Sequence, residues 1–398
     1  MAQWKGYASA RNIYIVDGRR TPFGRFGGSL KSLSPVDLSE HSSRALIQSL
    51  NISPELIDHV VFASVIPTTT DTLYAGRHLA LRLGCKLETP AYSVNRLCGS
   101  GFQAIIDAYN IILRDEAKCV LAAGAEAMSG APHLTYGGRF GTKYGALKSE
   151  DILLDSLTDK HCGTPMGITA ENLAKKFQIS REACEEFSLN SHKLACSAYE
   201  QGHFSDEVCT VALKRGELSQ DEHVRGDGSL EEMAKLRASF EKGGTVTPAT
   251  ASGIVDGAAS VLVADEEFVK EHNLKPLARI VDHHVVGVEP KIMGIGPAPA
   301  IRGVLKKVDK TLDDMNIVEI NEAFAAQAIA CAQELELAQE RLNLWGGSIA
   351  IGHPLAATGA RITLTAARQM QKLDKENAMV SACIGGGQGI AIYLERAS

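Results

Sequence analysis

Short runs of β-branched and apolar residues alternate with helical patterns over most of this chain. Residues 12–17, 59–65 and 118–124 read as buried strands, and 37–50 and 72–83 space their apolar residues as helices do. Ser53-Pro54-Glu55 reads as the cap and first turn of a short helix. Strands separated by helices give βα units, and hence a largely parallel sheet covered on both faces. From about Gly130 to Thr250 the pattern lapses. Gly, Lys, Glu and His become common there, and only 169–177 and 181–201, the second opening after Ser180 as N-cap, read as helices. The alternation resumes with strands at 252–264, 279–286, 317–320, 378–383 and 389–394 and a helix at 301–307. The middle stretch therefore reads as an insertion riding on an α/β core. Residues 50–62 and 308–320 each show a capped short helix followed by a strand, which suggests two similar halves.

The chain has 398 residues, too many for one simple core, so two or three domains are expected. Its net charge is −6 with no basic block, which argues against a nucleic-acid partner. No apolar run approaches the ~20 residues of a membrane span. The nine Cys are scattered, odd in number and without a Cys-x-x-Cys pair. That argues against a disulfide framework or a structural zinc site, and for a reducing compartment. The first eleven residues carry Lys5 and Arg11 and no acid, which suits either a mitochondrial targeting segment or a polar start to the fold. The final Glu395-Arg396-Ala397-Ser398 is not a Ser-Lys-Leu type address.

Four stretches carry chemistry. In Val94-Asn95-Arg96-Leu97-Cys98-Gly99-Ser100-Gly101, an extended run feeds a cysteine that opens a helical pattern. A helix N-terminus favours thiolate, and thiolate is the nucleophile; the plain alternative is a small buried Cys at a tight turn. Asn321-Glu322-Ala323-Phe324 follows a strand, as does Cys383-Ile384-Gly385-Gly386-Gly387-Gln388-Gly389, and Gly352-His353-Pro354 closes a Gly-rich run. The glycine run lacks Lys-Ser/Thr and a following helix, so it fails as a phosphate loop and better serves to bring backbone N–H groups to a substrate oxygen. Ligands of parallel sheets bind beyond the strand ends, which would put Cys98, Asn321 and Cys383 on one rim. This set fits carbon–carbon chemistry on a thioester. Cys98 is the nucleophile, His353 the base that takes its proton, and Cys383 a separate proton shuttle with a free pKa near ~8.5.

Those stretches, with Arg20-Thr21-Pro22-Phe23-Gly24, Gly124-Ala125-Glu126-Ala127-Met128-Ser129 and Ala170-Glu171-Asn172, run in one order and spacing that resembles the thiolase family along nearly the whole chain. The nearest branch is the mitochondrial-type 3-ketoacyl-CoA one. The resemblance implies a five-layered αβαβα fold of two duplicated halves with an inserted loop domain. The boundaries expected are 1–125 plus 250–277 for the N-terminal half, 126–249 for the loop domain and 278–398 for the C-terminal half. It also implies thiolysis of 3-ketoacyl-CoA by coenzyme A (CoA), and the reverse Claisen condensation, with CoA as co-substrate and no tightly bound cofactor or metal. Cys98 would be acylated. His353, with a water held by Asn321, would form one oxyanion hole, and the N–H groups of Cys98 and Gly385 a second. Cys383 would protonate the departing carbanion. Arg225, Ser252 and Met166 would contact CoA. A homotetramer built from tight dimers, in the mitochondrial matrix or else the cytosol, completes the expectation.

Departures from the family pattern fall at Pro248-Ala249-Thr250, at Gly228 with Ser229 beside it, at Pro165-Met166, and at Ala356-Ala357-Thr358 where Gly-x-Ser is usual. They touch CoA contacts and acyl preference. The rival readings are a decarboxylating ketoacyl synthase of the same superfamily, a non-catalytic CoA or lipid carrier, and a redox-sensing scaffold. The first favours Cys with two His, whereas the third position here is Cys383. The second is at odds with the presence of Cys98, His353 and Cys383, and the third with the lack of a resolving Cys near Cys98 in sequence.

Overall fold

The computed structural model describes residues 11–397. The N-terminal segment weighed above as a targeting sequence lies, up to residue 10, outside the described residues. The strands of the main sheet are β1 (Ile13–Arg20), β2 (His59–Ala63), β3 (Ala91–Val94), β4 (Cys119–Ala127), β5 (Val255–Asp265), β6 (Ala278–Gly287), β7 (Ile317–Ile320), β8 (Asn377–Ile384) and β9 (Gln388–Arg396). Its principal helices are α1 (Pro35–Leu50), α2 (Ala75–Leu83), α3 (Ser100–Leu113), α4 (Met166–Phe177), α5 (Arg181–Glu200), α6 (Pro297–Lys307), α7 (Ala325–Leu335), α8 (Ser348–Ile351) and α9 (Leu355–Lys372). Among the described residues no helix is long and apolar enough to cross a membrane.

The strand order is β7-β8-β9-β6-β1-β5-β4-β2-β3. In the first half β5 runs antiparallel to both β1 and β4, and only β4, β2 and β3 are mutually parallel. In the second half β9 runs antiparallel to both β6 and β8, and β7 is parallel to β8. Order and polarity repeat, so the duplication suggested by 50–62 and 308–320 is a duplication of fold. Ser53 and Thr311 each begin a single 3₁₀ turn that leads into β2 and β7, which hold the same place in their halves. The expectation of a largely parallel sheet is corrected. β8 turns directly into β9, and the long insertion likewise returns the chain from β4 to the adjacent β5; such neighbours pair antiparallel. The halves join where Tyr14 and Ile15 of β1 pair with Arg279 and Ala278 of β6.

Three apolar clusters account for five layers. On one face of the first half, Val60, Phe62, Leu121 and Leu262 pack against Leu38 and Leu46 of α1 and Leu79 of α2. On its other face, Val61, Ala122 and Val261 meet α3 and α9, and those helices also meet Val380, Ile390 and Ile392 of the second half. Beyond that half, Met379, Ala391 and Tyr393 pack on α6 and α7. The α3–α9 layer lies between the two halves of the sheet, so it has no wet side. Residues 355–370 of α9 are all buried. The sequence reading passes over it, although its polar residues Thr358, Arg361, Thr365 and Arg368 recur at helical spacing. The two helices touch through small residues: a Cβ on Gly101 would meet Ala356 O at 2.6 Å.

Candidate active site

Cys98 sits in a single 3₁₀ turn, Leu97–Gly99, between β3 and α3. Leu97 has φ of +47°, a left-handed conformation that branched side chains rarely adopt. Polar side chains hold it there. Asn95 Oδ1 accepts the Leu97 N–H at 2.9 Å, and Ser100 Oγ accepts the Arg96 N–H at 2.8 Å while donating to Leu97 O at 2.7 Å. The strain fixes where the thiol points.

Cys98 keeps a partly exposed face and packs against the cluster of Ile66, Met128 and Leu355. The Gly385 N–H donates to its sulfur. Gly385 opens the turn between β8 and β9, where Gly386 and Gly387 have φ of +82° and +83°. Burial pushes the Cys98 thiol up to about 11, and the negative end of Glu126 adds to this. The Gly385 and Cys98 N–H groups pull the other way without prevailing. Desolvation thus outweighs the pull of the helix N-terminus toward thiolate, and the sulfur needs a base. Cys383 is buried and close enough for its own thiol to feel Cys98. Burial first, then that neighbour, holds it well above the ordinary thiol range instead of at its free value.

His353 precedes α9 by two residues, as Cys98 precedes α3. Its Nδ1 lies 2.6 Å from Thr358 Oγ1 and its Nε2 lies 3.3 Å from Asn321 Nδ2. Burial, with the Arg361 cation adding, lowers its pKa to about 3, so the ring is neutral. Asn321 follows the end of β7, and Ser348 Oγ donates to its Oδ1 at 2.6 Å. The Glu322 carboxylate accepts from Ser191, Asn343 and the Ile349 N–H, tying α5 and α8 to the same loop.

Sequence reasoning missed several residues here. Thr358 stands where the family pattern has Ser, and its hydroxyl keeps the contact to His353; that departure was the available signal. Ser348, Arg361 and Glu126 give no local signal. Glu126 is buried, with carboxylate oxygens 2.9 Å from the Ile66 N–H and 3.2 Å from the Ala356 N–H, so it clamps the first turn of α9 to the first half. Burial raises its pKa to about 8.

The residues expected to contact CoA have the following surroundings. Arg225 lines a cavity of about 210 Å³ with His192, His223, Ser229, Met233 and Pro248. The His192 and His223 rings stack at 6.2 Å, and neither residue was singled out from sequence. Ser229 Oγ is engaged in capping a short helix, Leu230–Ala234. Ser252 lies beside the Asn321 loop, its N–H donating to Ala323 O at 3.0 Å, and its neighbour Gly253 abuts His223. Met166 packs on the Cys383 cluster with Met293 and Phe324.

A turn-borne cysteine, a neutral histidine held by an amide, and a second cysteine beside a backbone N–H define an acyl-transferring cysteine enzyme on a duplicated α/β fold. The chain belongs to the thiolase family: the thiolase N-terminal domain matches residues 13–267 and the thiolase C-terminal domain residues 274–396. It is 46% identical to mitochondrial 3-ketoacyl-CoA thiolase of Homo sapiens over 98% of this chain and 99% of that protein. It is 42% identical to β-ketothiolase BktB of Cupriavidus necator over 97% and 99%. The crystal structure of the human mitochondrial enzyme in complex with CoA superposes with a TM-score of 0.96, covering 97% of this chain and 98% of that one.

Proposed function

We propose that this protein cleaves 3-ketoacyl-CoA with CoA to acetyl-CoA and a shortened acyl-CoA, and catalyses the reverse condensation. The observation that carries the reading is the meeting of Cys98 with the Gly385 N–H and Cys383. His353 stands at the start of the neighbouring helix, with Asn321, just past β7, against its Nε2.

The Cys98 proton passes to His353 Nε2, and the thiolate attacks the C3 carbonyl. The developing oxyanion lies where the N–H groups of Cys98 and Gly385 converge; one such donor is typically worth ~3 kcal/mol. The C2–C3 bond breaks, leaving an acyl-Cys98 thioester and an acetyl-CoA enolate whose oxygen faces His353 and Asn321. Cys383 gives its proton to the carbanion. It then takes the thiol proton of an incoming CoA, whose sulfur displaces the acyl group from Cys98, and the released Cys98 sulfur recovers its proton from His353. Both thiols start protonated, which this order of transfers requires.

CoA enters past Arg225 and Ser252, with Met166 over the reacting end. The chain divides as 1–125 plus 250–277, 126–249 and 278–398. Support comes from the topology: residues between Ala127 and Val255 stand where the second half has only the turn between β8 and β9. Exposed Tyr136, Phe140 and Tyr144 on that insertion favour contacts between copies in a homotetramer. The mitochondrial relatives favour the matrix as its location.

Cys98→Ala should abolish both thiolysis and acyl exchange between CoA thioesters. Retained turnover would sink the mechanism. Rates with acetoacetyl-CoA, 2-methylacetoacetyl-CoA and longer 3-ketoacyl-CoAs then set the acyl preference.

A further inference from the structure

We propose that Arg361 and Ser348 are positioning residues that fix the proton arrangement of His353, keeping its lone pair on Nε2. This rests on the reading that His353 takes the Cys98 proton.

The direction of each hydrogen bond follows from how many protons each group has. Arg361 can only donate. Its Nη2 lies 2.8 Å from Ser348 Oγ, so the hydroxyl accepts there and its one proton goes to Asn321 Oδ1, 2.6 Å away. With Oδ1 so engaged, the Asn321 amide must turn its NH₂ to His353 Nε2 at 3.3 Å. An NH₂ group only donates, so Nε2 carries the lone pair. The other end gives the same answer independently. Thr358 Oγ1 spends its proton on Pro354 O at 3.2 Å, so it accepts from His353 Nδ1 at 2.6 Å. The chain Arg361–Ser348–Asn321–His353–Thr358–Pro354 thus has one polarity from end to end.

Remove the Arg361–Ser348 end and only the Thr358 contact at the far side of the ring still opposes the Asn321 amide turning over. Its Oδ1 would then face Nε2 and favour a proton there, and the ring would present a donor to Cys98 where a base is needed. Arg361 is 1% exposed, and its guanidinium makes a single hydrogen bond among the described residues, to Ser348, with Nε and Nη1 unpartnered. A buried cation bonded so sparsely is costly to folding. Nearby Glu319, Glu207 and Glu322 offset its charge, and its one hydrogen bond imposes polarity on the chain.

The test is Ser348→Ala, compared with His353→Ala, Asn321→Ala and Asn321→Ala/Ser348→Ala. The measurements are kcat, KM for CoA, the rate of Cys98 alkylation by iodoacetamide, and Tm. Ser348→Ala should lower kcat and Cys98 alkylation together by about 10- to 100-fold, with KM for CoA unchanged. In the Asn321→Ala background the same change should cost less than about twofold, because the chain is already cut. Wild-type kcat in Ser348→Ala, or losses that multiply in the double variant, would overturn the proposal. If His353→Ala alkylates at the wild-type rate, the reading of His353 as base fails instead. Should Ser348→Ala not fold, ¹⁵N spectra of histidine-labelled wild-type enzyme decide. The resonance lost in His353→Ala must show an unprotonated Nε2, and a protonated one refutes the assignment.

Discussion

Replacing Thr358 with Val keeps the shape of the side chain and removes one hydroxyl. In the resting enzyme that hydroxyl accepts from neutral His353 at 2.6 Å. Once His353 holds the Cys98 proton, the same hydroxyl accepts from an imidazolium. A hydrogen bond to a neutral donor is worth about 0.5–1.5 kcal/mol net, and one to a charged donor about 1.5–3 kcal/mol. The variant therefore loses about 1–1.5 kcal/mol more in the charged state than at rest, which is roughly a tenfold fall in kcat. Stability suffers separately, because a buried Nδ1–H is left unpaired at a cost of about 2 kcal/mol, or about 2 °C in Tm for a chain of this length. Such a small shift cannot account for the rate loss at assay temperature. Loss of the 3-ketoacyl-CoA enolate absorbance, followed at saturating CoA, gives kcat, and Thr358→Ser serves as the control that restores the hydroxyl. If Thr358→Val runs within about twofold of wild type, or Thr358→Ser is equally slow, the hydroxyl does not support His353 and the charge argument is wrong.

Two further outcomes test separate parts of the site. Cys383→Ala should cut thiolysis and solvent-deuterium entry into the acetyl-CoA methyl group by about 10²–10⁴-fold while Cys98 remains open to alkylation; equal loss of alkylation would mean that Cys383 acts only by shaping the Cys98 pocket. Glu126→Gln tests the buried carboxyl. Its folded pKa of about 8 lies above the ordinary 4.5, so the stability its neutral form contributes is complete at low pH and lost as pH rises through 8. The variant cannot ionise. The Tm gap between wild type and Glu126→Gln should therefore narrow from pH 5 to pH 9, by on the order of a few kcal/mol in stability terms, and a gap independent of pH would refute the burial argument.

What the sequence made legible follows from periodicity and local chemistry. Each strand of the duplicated core carries its own apolar run, and Ser53 and Ser180 cap helices where side-chain chemistry says they should. Antiparallel β5 and β9 were not legible, because buried strands look alike in either direction and only the connections decide polarity. Helix α9 keeps a helical period but was passed over; its polar residues Arg361, Thr365 and Arg368 are buried against partners distant in sequence, which no local pattern shows. The reactive residues were legible as types at turns, but their protonation was not. The start of a helix at Cys98 argues for thiolate, and only the surroundings reveal that desolvation wins.

The duplication explains why no compact motif announces this site. Cys98 and His353 hold equivalent places, each two residues before a helix of the central layer, and the offset between them nearly equals that between Leu50 and Val308. Glu126 and Cys383 are likewise the penultimate residues of β4 and β8. Equivalent scaffolds thus deliver unlike groups: a nucleophile and a base at the two helix starts, a clamp and a proton carrier at the two strand ends. Both helix N-termini point their partial positive ends at one spot. That field disfavours imidazolium at rest and favours the thiolate and oxyanion once they form. The proton therefore stays on sulfur until substrate oxygen can share the negative charge, and the same small-residue contact that lets α3 approach α9 brings the two ends together.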